Sequence, residues 1–251
     1  MIWGMPIKPL PFKLVVQERE EMWRACDFWV KEPETIAWID SFEPDSVFWD
    51  IGANIGVFSL YAVSKDGIEV RAFEPVAENY DRIIENGIVN LGRESGAAVR
   101  KRLWAKKIAF SDSIGTKQFF SNGKGAGRSG GQVGAPVDEM GAKFTPTESY
   151  EVEVTTIDQM AKSVGVPNYI KIDVDGHEEA IIRGAVNTLC NPLLRSVLVE
   201  TRRGCIVDNV MDKAGFITFN QFMGVDLNRR RGQKRMNVVY TRAHECKSPS
   251  E

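Results

Sequence analysis

Apolar positions in this chain alternate between short continuous blocks and stretches where they recur every three or four residues. Val47-Phe-Trp-Asp50-Ile51 is one block and Glu69-Val-Arg-Ala-Phe73 another, and both read as buried strands. Helical spacing runs from Ile55 to Ser64, and again from Val76 to Leu91, where Tyr80, Ile83, Ile84 and Ile88 are set for one inward face. Leu103 to Phe110 predicts a third strand. The rhythm resumes with a helix over Ile157 to Val164 and a strand over Tyr169 to Val174. A helix over His177 to Leu189 and a strand over Ser196 to Glu200 follow. Strands that alternate with helices imply a parallel sheet covered on both faces. Phe216 to Phe219 and Met236 to Thr241 predict an antiparallel edge. The expected fold class is α/β, Rossmann-like, with a mostly parallel seven-stranded sheet.

Two regions depart from this rhythm. Thr116 to Phe120 and Tyr150 to Thr156 read as strands of a β-hairpin inserted over 116–156. The glycine-rich run 122–134 joins them, either as a flexible surface loop or as a lid. Residues 1–44 hold Trp3, Trp23, Trp29 and Trp38 and predict a helix from Glu34 to Phe42 behind Pro33. They read as a helical extension over the mouth of the site. The main domain is then 45–243, with a frayed tail over 244–251.

Composition narrows the class. With 251 residues, 43% hydrophobic and 26% charged, the chain reads as one large globular domain. A formal charge of −2 supplies no field toward nucleic acid or an anionic membrane. No apolar run approaches the ~18 residues of a spanning helix, and Met1 to Pro6 lacks signal-peptide features. Cys26, Cys190, Cys205 and Cys246 are scattered, which suits free buried thiols and a cytoplasmic setting.

The chemistry concentrates where strands end. Asp50-Ile-Gly52-Ala53-Asn54-Ile-Gly56 closes the first strand and turns through glycines into a helix. Glu74-Pro75 closes the second, near the ~20-residue spacing of a ribose-binding carboxylate. Asp50 would repel a pyrophosphate at that turn. An adenosine derivative without phosphates, bearing a sulfonium and an ammonium, suits it better: S-adenosylmethionine.

A second constellation is Lys171-Ile-Asp173-Val-Asp175-Gly176-His177-Glu178. Lys171, Asp173 and Asp175 alternate onto one face. Lys171 reads as half of a buried ion pair. Asp175 and Glu178 have capping-box spacing. Asp173 stands beside the proposed donor. His177 would sit in a first helical turn, kept neutral by the helix dipole, or as an exposed capping residue. Glu200 either enters the same crevice or partners Lys171. Asp173 and Asp175 could offer oxygens to Mg²⁺, but without a clear third ligand no metal is expected. The basic cluster Arg229-Arg-Arg231 with Lys234-Arg235 reads as a solvated loop.

Asp50 to Gly56, Ala72-Phe-Glu-Pro75 with Glu78-Asn79-Tyr80, and Ile170 to Glu178 resemble the FkbM family of methyltransferases. Arg183-Gly-Ala185 and Val199-Glu200 extend the resemblance, which covers roughly residues 45 to 240. It implies a class I methyltransferase fold using S-adenosylmethionine to methylate a hydroxyl of a sugar, glycan or secondary metabolite. Family members more often carry glutamate where this chain has Asp175. Carried over, Asp50, Gly52, Ala53, Asn54 and Gly56 hold the amino-acid end of the donor. Glu74 and Pro75 meet the ribose, with Asn79 in support. Ser111 and Asp112 face the adenine, or Asp112 serves a turn. Asp173 or His177 acts as base, with Lys171 and Glu200 orienting the acceptor. The alternatives are a nicotinamide-dependent oxidoreductase, disfavoured by Asp50 and Asn54, and a non-catalytic cofactor-binding module.

Overall fold

The computed structural model describes residues 8–92, 102–137, 142–202, 204–219 and 236–243. Its main sheet has seven strands. They are β1 (Val47–Ile51), β2 (Glu69–Phe73), β3 (Leu103–Lys106), β8 (Tyr169–Ile172), β9 (Ser196–Thr201), β10 (Phe216–Thr218) and β11 (Met236–Arg242). Their order is β10-β11-β9-β8-β1-β2-β3. The five strands from β9 to β3 run parallel, while β11 pairs antiparallel with both β9 and β10. The sheet is therefore mixed. Consecutive strands on opposite sides of β1 create a switch point between β1 and β8, where ligands in such sheets bind.

Alternation along β1 explains how both faces are sealed. Phe48 and Trp49 point to opposite sides and both are fully buried. Phe48 packs with Trp38 and Phe42, in the same core as Leu60 and Phe28. Trp49 packs with Phe73, Phe110, Ile170 and Ile181. The first layer includes α1 (Arg19–Lys31), α2 (Pro33–Asp40) and α3 (Val57–Val63). The second includes α5 (Ile157–Val164), α6 (Glu178–Arg183) and α8 (Ile206–Lys213).

The predicted strand Leu103–Phe110 divides. Residues 103–106 stay in the main sheet, and β4 (Ala109–Phe110) crosses to a second sheet of order β4-β7-β5-β6. The rest of that sheet is β5 (Gly115–Ser121), β6 (Gln132–Val133) and β7 (Glu148–Thr155). β5 and β7 overlap the two expected hairpin strands, while β4 and β6 are additions to them. Phe110 joins Trp49 and Phe73 in the core, so the crossing is anchored by aromatic burial.

The predicted helix 177–189 also divides, into α6 and α7 (Val186–Leu189). The carbonyl of Gly184 accepts from Asp158 N at 3.0 Å, outside the helical ladder. Asp158 then receives the amide N–H groups of Asn187 and Thr188, capping α7. A side chain at Gly184 would sit 2.3 Å from the Ser111 carbonyl, so only glycine permits this approach.

On α4 (Ala77–Leu91) the predicted inward face is incomplete, because Ile84 is exposed. Asn79, Arg82 and Asn86 are buried instead. The segment before α1, α1 itself and the glycine-rich run supply partners for Asn86, Arg82 and Asn79 in turn. Asn86 accepts from Val15 N at 2.8 Å, and Arg82 Nε donates to Glu21 at 2.5 Å. Among the cysteines, Cys26 and Cys190 are exposed and Cys205 is half-buried, all as free thiols. The expected burial fails for the first two. Cys246, the Arg229–Arg235 cluster and the tail lie outside the described residues. No helix among the described residues is long and apolar enough to cross a membrane.

Candidate active site

A cavity of about 600 Å³ opens above the carboxyl ends of β1, β2 and β8. Its wall includes Gly52, Asn54, Glu74, Pro75, Asn79, Asp173, Asp175, His177 and Glu200. Eight of these nine are residues the sequence assigns to the site; Asp175 is the one it reads as a helix cap. Gly52 has φ +80, and a Cβ there would meet the Asp173 carbonyl at 2.0 Å. That contact closes the β1 turn against the end of β8 and leaves room for a ligand only if residue 52 is glycine.

Glu74 is 5% exposed. Its carboxylate accepts from Asn54 N at 2.9 Å and Val76 N at 3.0 Å, with Asn79 Nδ2 at 3.4 Å. Burial pushes its pKa up to about 7, although these donors pull the other way. A buried carboxylate on a cavity wall, pre-oriented by backbone donors, suits a ligand diol.

Asp50 lies beneath this cavity rather than on its wall. It is 1% exposed, accepts from Ser59 Oγ at 2.6 Å, and sits opposite Lys171 in the β1–β8 register. Burial raises its pKa and Lys171 opposes that rise. Ala53 and Gly56 also lie off the wall; the position of a Gly56 side chain is taken by Ile83.

Lys171 is fully buried and pairs with Asp173 at 2.6 Å. Burial alone would lower its pKa, but Asp173, Glu32 and Asp50 hold it protonated above the usual lysine range. In return, Lys171 overcomes burial and keeps the Asp173 carboxyl below its ordinary value. The site thus presents an ionised carboxylate braced from behind by a cation.

The predicted capping box does not form. His177, not Asp175, precedes α6, and Glu178 accepts from Val174 N and Gly176 N. Asp175 adopts φ +56 and accepts from Gly130 N at 2.6 Å. His177 is half-buried, with Nε2 3.0 Å from Ser111 Oγ. Burial lowers its pKa and nearby Lys117 lowers it further, which keeps the ring neutral. Ser111 and Asp112 lie off the cavity wall. Ser111 is buried against His177 and Lys117, while Asp112 faces Lys117 and Arg183. Ile108, Ala109 and Phe110 take the wall position next to them.

Glu200 enters the crevice, one of its two expected positions, and there joins Asp173 and Asp175 as the third carboxylate that the sequence reading lacked. Oxygens of Asp173, Asp175 and Glu200 lie within 4.8 Å of one another. A divalent cation there would compete with the Lys171 ammonium for Asp173.

The glycine-rich run packs across this cavity. Gly127 N donates to Asn79 Oδ1 at 2.8 Å, and Asn54 Nδ2 donates to the Arg128 carbonyl at 2.5 Å. Arg128, Ser129 and Gly131 line the wall. The sequence signalled a loop but not its anchors, because the partners are 45 to 74 residues distant.

Strand order, glycine turn, ribose-type carboxylate and cavity together define a class I methyltransferase that uses S-adenosylmethionine. The Methyltransferase FkbM domain matches residues 50–216, and the chain belongs to that family. It is 29% identical over 195 residues to the hexuronic acid methyltransferase AglP of Haloferax volcanii, covering 76% of this chain and 71% of that protein. It is 28% identical over 171 residues to the 31-O-demethyl-FK506 methyltransferase FkbM of Streptomyces tacrolimicus, covering 62% and 65%. A crystal structure of a methyltransferase FkbM from Methylobacillus flagellatus KT superposes with TM-score 0.46 and 14% identity, over 80% of this chain and 44% of that one.

Proposed function

We propose that this methyltransferase methylates a hydroxyl oxygen of a sugar or secondary metabolite. The carrying observation is Asp173, an ionised carboxylate on the cavity wall beside the glycine turn, braced by buried Lys171. A hydroxyl needs a hydrogen-bond acceptor to orient it, and Asp173 supplies one. The names of the two relatives, which point to a hexuronic acid and to an O-demethyl compound, support the same reading.

The residues present fit the donor. Glu74 would accept its ribose hydroxyls, Gly52 and Asn54 would border its amino-acid end, and Phe110 would border its base. The donor supplies a methyl carbon already activated by a sulfonium charge. The protein's share is alignment and exclusion of water. Asp173 would accept the acceptor's O–H while an oxygen lone pair forms the new C–O bond, the donor's methyl carbon–sulfur bond breaking with its electron pair left on sulfur. The proton then passes to Asp173 and on to solvent. Because Lys171 holds Asp173 at low basicity, that proton leaves late, after C–O bonding has acidified it. His177, neutral and bonded to Ser111, braces the end of α6 rather than the acceptor.

Asp173→Asn is expected to bind S-adenosylhomocysteine normally in calorimetry and to lose roughly 10²–10⁴ in turnover. A folded variant with undiminished turnover would remove Asp173 from this role. Exhaustive chelation is expected to leave the rate intact. Loss restored by Mg²⁺ would instead assign the three carboxylates to a cation.

A further inference from the structure

We infer that a second cavity is the acceptor's seat and takes a neutral hydroxylated ring, a pyranoside; the inference rests on the methyltransferase reading above. This cavity, of about 370 Å³, adjoins the first and shares Arg24, Lys31, Glu32, Arg128 and Ser129 with it. Such a volume suits a small ligand. One wall is a single stripe of α1, Glu20, Trp23, Arg24, Asp27, Phe28 and Lys31, spaced three and four apart. A stripe built only for packing would be apolar throughout. This one interleaves rings with charges.

The rings form a platform. Phe28 is buried, Phe58 lies beside it at 5.7 Å between centroids, and Trp23 is 53% exposed. Arg19, which does not line the cavity, stacks over the Trp23 indole at 4.6 Å. An exposed indole held in place is costly to leave in water and available to the C–H face of a sugar.

The charges select a polyol over an ion. Three acids (Glu20, Asp27, Glu32) face three bases (Arg24, Lys31, Arg128), so the lining is neutral. Glu20 pairs with Arg128 at 2.9 Å, and Glu32 pairs with Lys31 at 3.5 Å and is bonded to Thr35 and Asn237. That leaves Arg24 and Asp27. Arg24 donates only its Nε to the Gly127 carbonyl, and Asp27 makes no hydrogen bond among the described residues. One open donor and one open acceptor over an aromatic floor match neighbouring hydroxyls on a ring.

The opposite wall explains the glycines. Gly127 has φ +85, and a Cβ there would come within 2.9 Å of Glu21 N on α1. The loop can close on α1 only with glycine at that point.

The test uses the full chain, labelled S-adenosylmethionine, and the methyl pyranosides of glucose, galactose, rhamnose and glucuronic acid as acceptors. Trp23→Ala and Asp27→Asn are expected to raise the acceptor KM about tenfold or more, with kcat and S-adenosylhomocysteine affinity little changed. Absence of S-adenosylhomocysteine binding in the unaltered protein would defeat the methyltransferase reading itself. Binding and transfer with an unchanged KM in Trp23→Ala would overturn the seat. Binding without transfer to any pyranoside, or preference for the glucuronoside, would overturn the neutral ring.

Discussion

Glu74 is almost shut off from water, and it ionises near neutrality only because two backbone amides and Asn79 face its oxygens. Its pKa, pushed up to about 7 by burial, has a functional sign. The ionised form accepts ribose hydroxyls, so donor affinity should rise with pH up to about 7 and then level off. Below that value each pH unit should cost up to about tenfold in Kd, with one proton released on binding. Calorimetry in buffers of different ionisation enthalpy reads both. Stability of the donor-free protein runs the other way: this raised carboxyl favours folding below its unfolded value and loses that contribution as pH rises through about 7. At Gly52, alanine would meet both a positive φ and the Asp173 carbonyl, so Gly52→Ala should abolish donor binding and lower Tm. Glu74, Gly52 and Asp173 were legible from sequence because each closes a strand or turns out of one. The burial of Asp50 and the pairing of Asp175 with Gly130 were not, since strand register and a loop 45 residues away decide them.

At the level of elements, β1, β2 and α5 have the boundaries their apolar patterns predict, because local burial sets them. Misreadings fall where a distant partner intervenes. Asp158 breaks the ladder after α6, and the second sheet draws Ala109–Phe110 away from β3. Glu21 makes Arg82 rather than Ile84 the buried face of α4. The Glu21–Arg82 pair is the rivet between α1 and α4. Glu21 is fully buried and also accepts from the amides of Gln17 and Glu18. Removing one partner of a buried pair typically costs about 3–5 kcal/mol. Glu21→Gln should therefore lower the unfolding free energy by a comparable amount, read as a drop in the denaturant midpoint at unchanged slope. It should also weaken acceptor use, while Glu85→Gln on the exposed end of the same network should do little.

For the whole molecule, a ligand that binds only the folded state stabilises it by about 2.7 kcal/mol at a hundred times its Kd. In a chain of this size that corresponds to roughly 5–10 °C in Tm. S-adenosylhomocysteine should produce that shift in a thermal melt, and NAD should not. The balance of 32 basic against 34 acidic residues predicts no retention on immobilised nucleic acid at physiological salt.

The boundary between the two cavities is shared by α1 and the glycine-rich loop, whose tethers, Asn54 and Asn79, are neighbours of Glu74. Occupancy on one side therefore stiffens the boundary that the other side relies on. Linkage makes this reciprocal: whatever factor the nucleoside contributes to sugar affinity, the sugar returns to the nucleoside. The four dissociation constants, for each ligand alone and with the other bound, should close a thermodynamic square with one coupling free energy common to both.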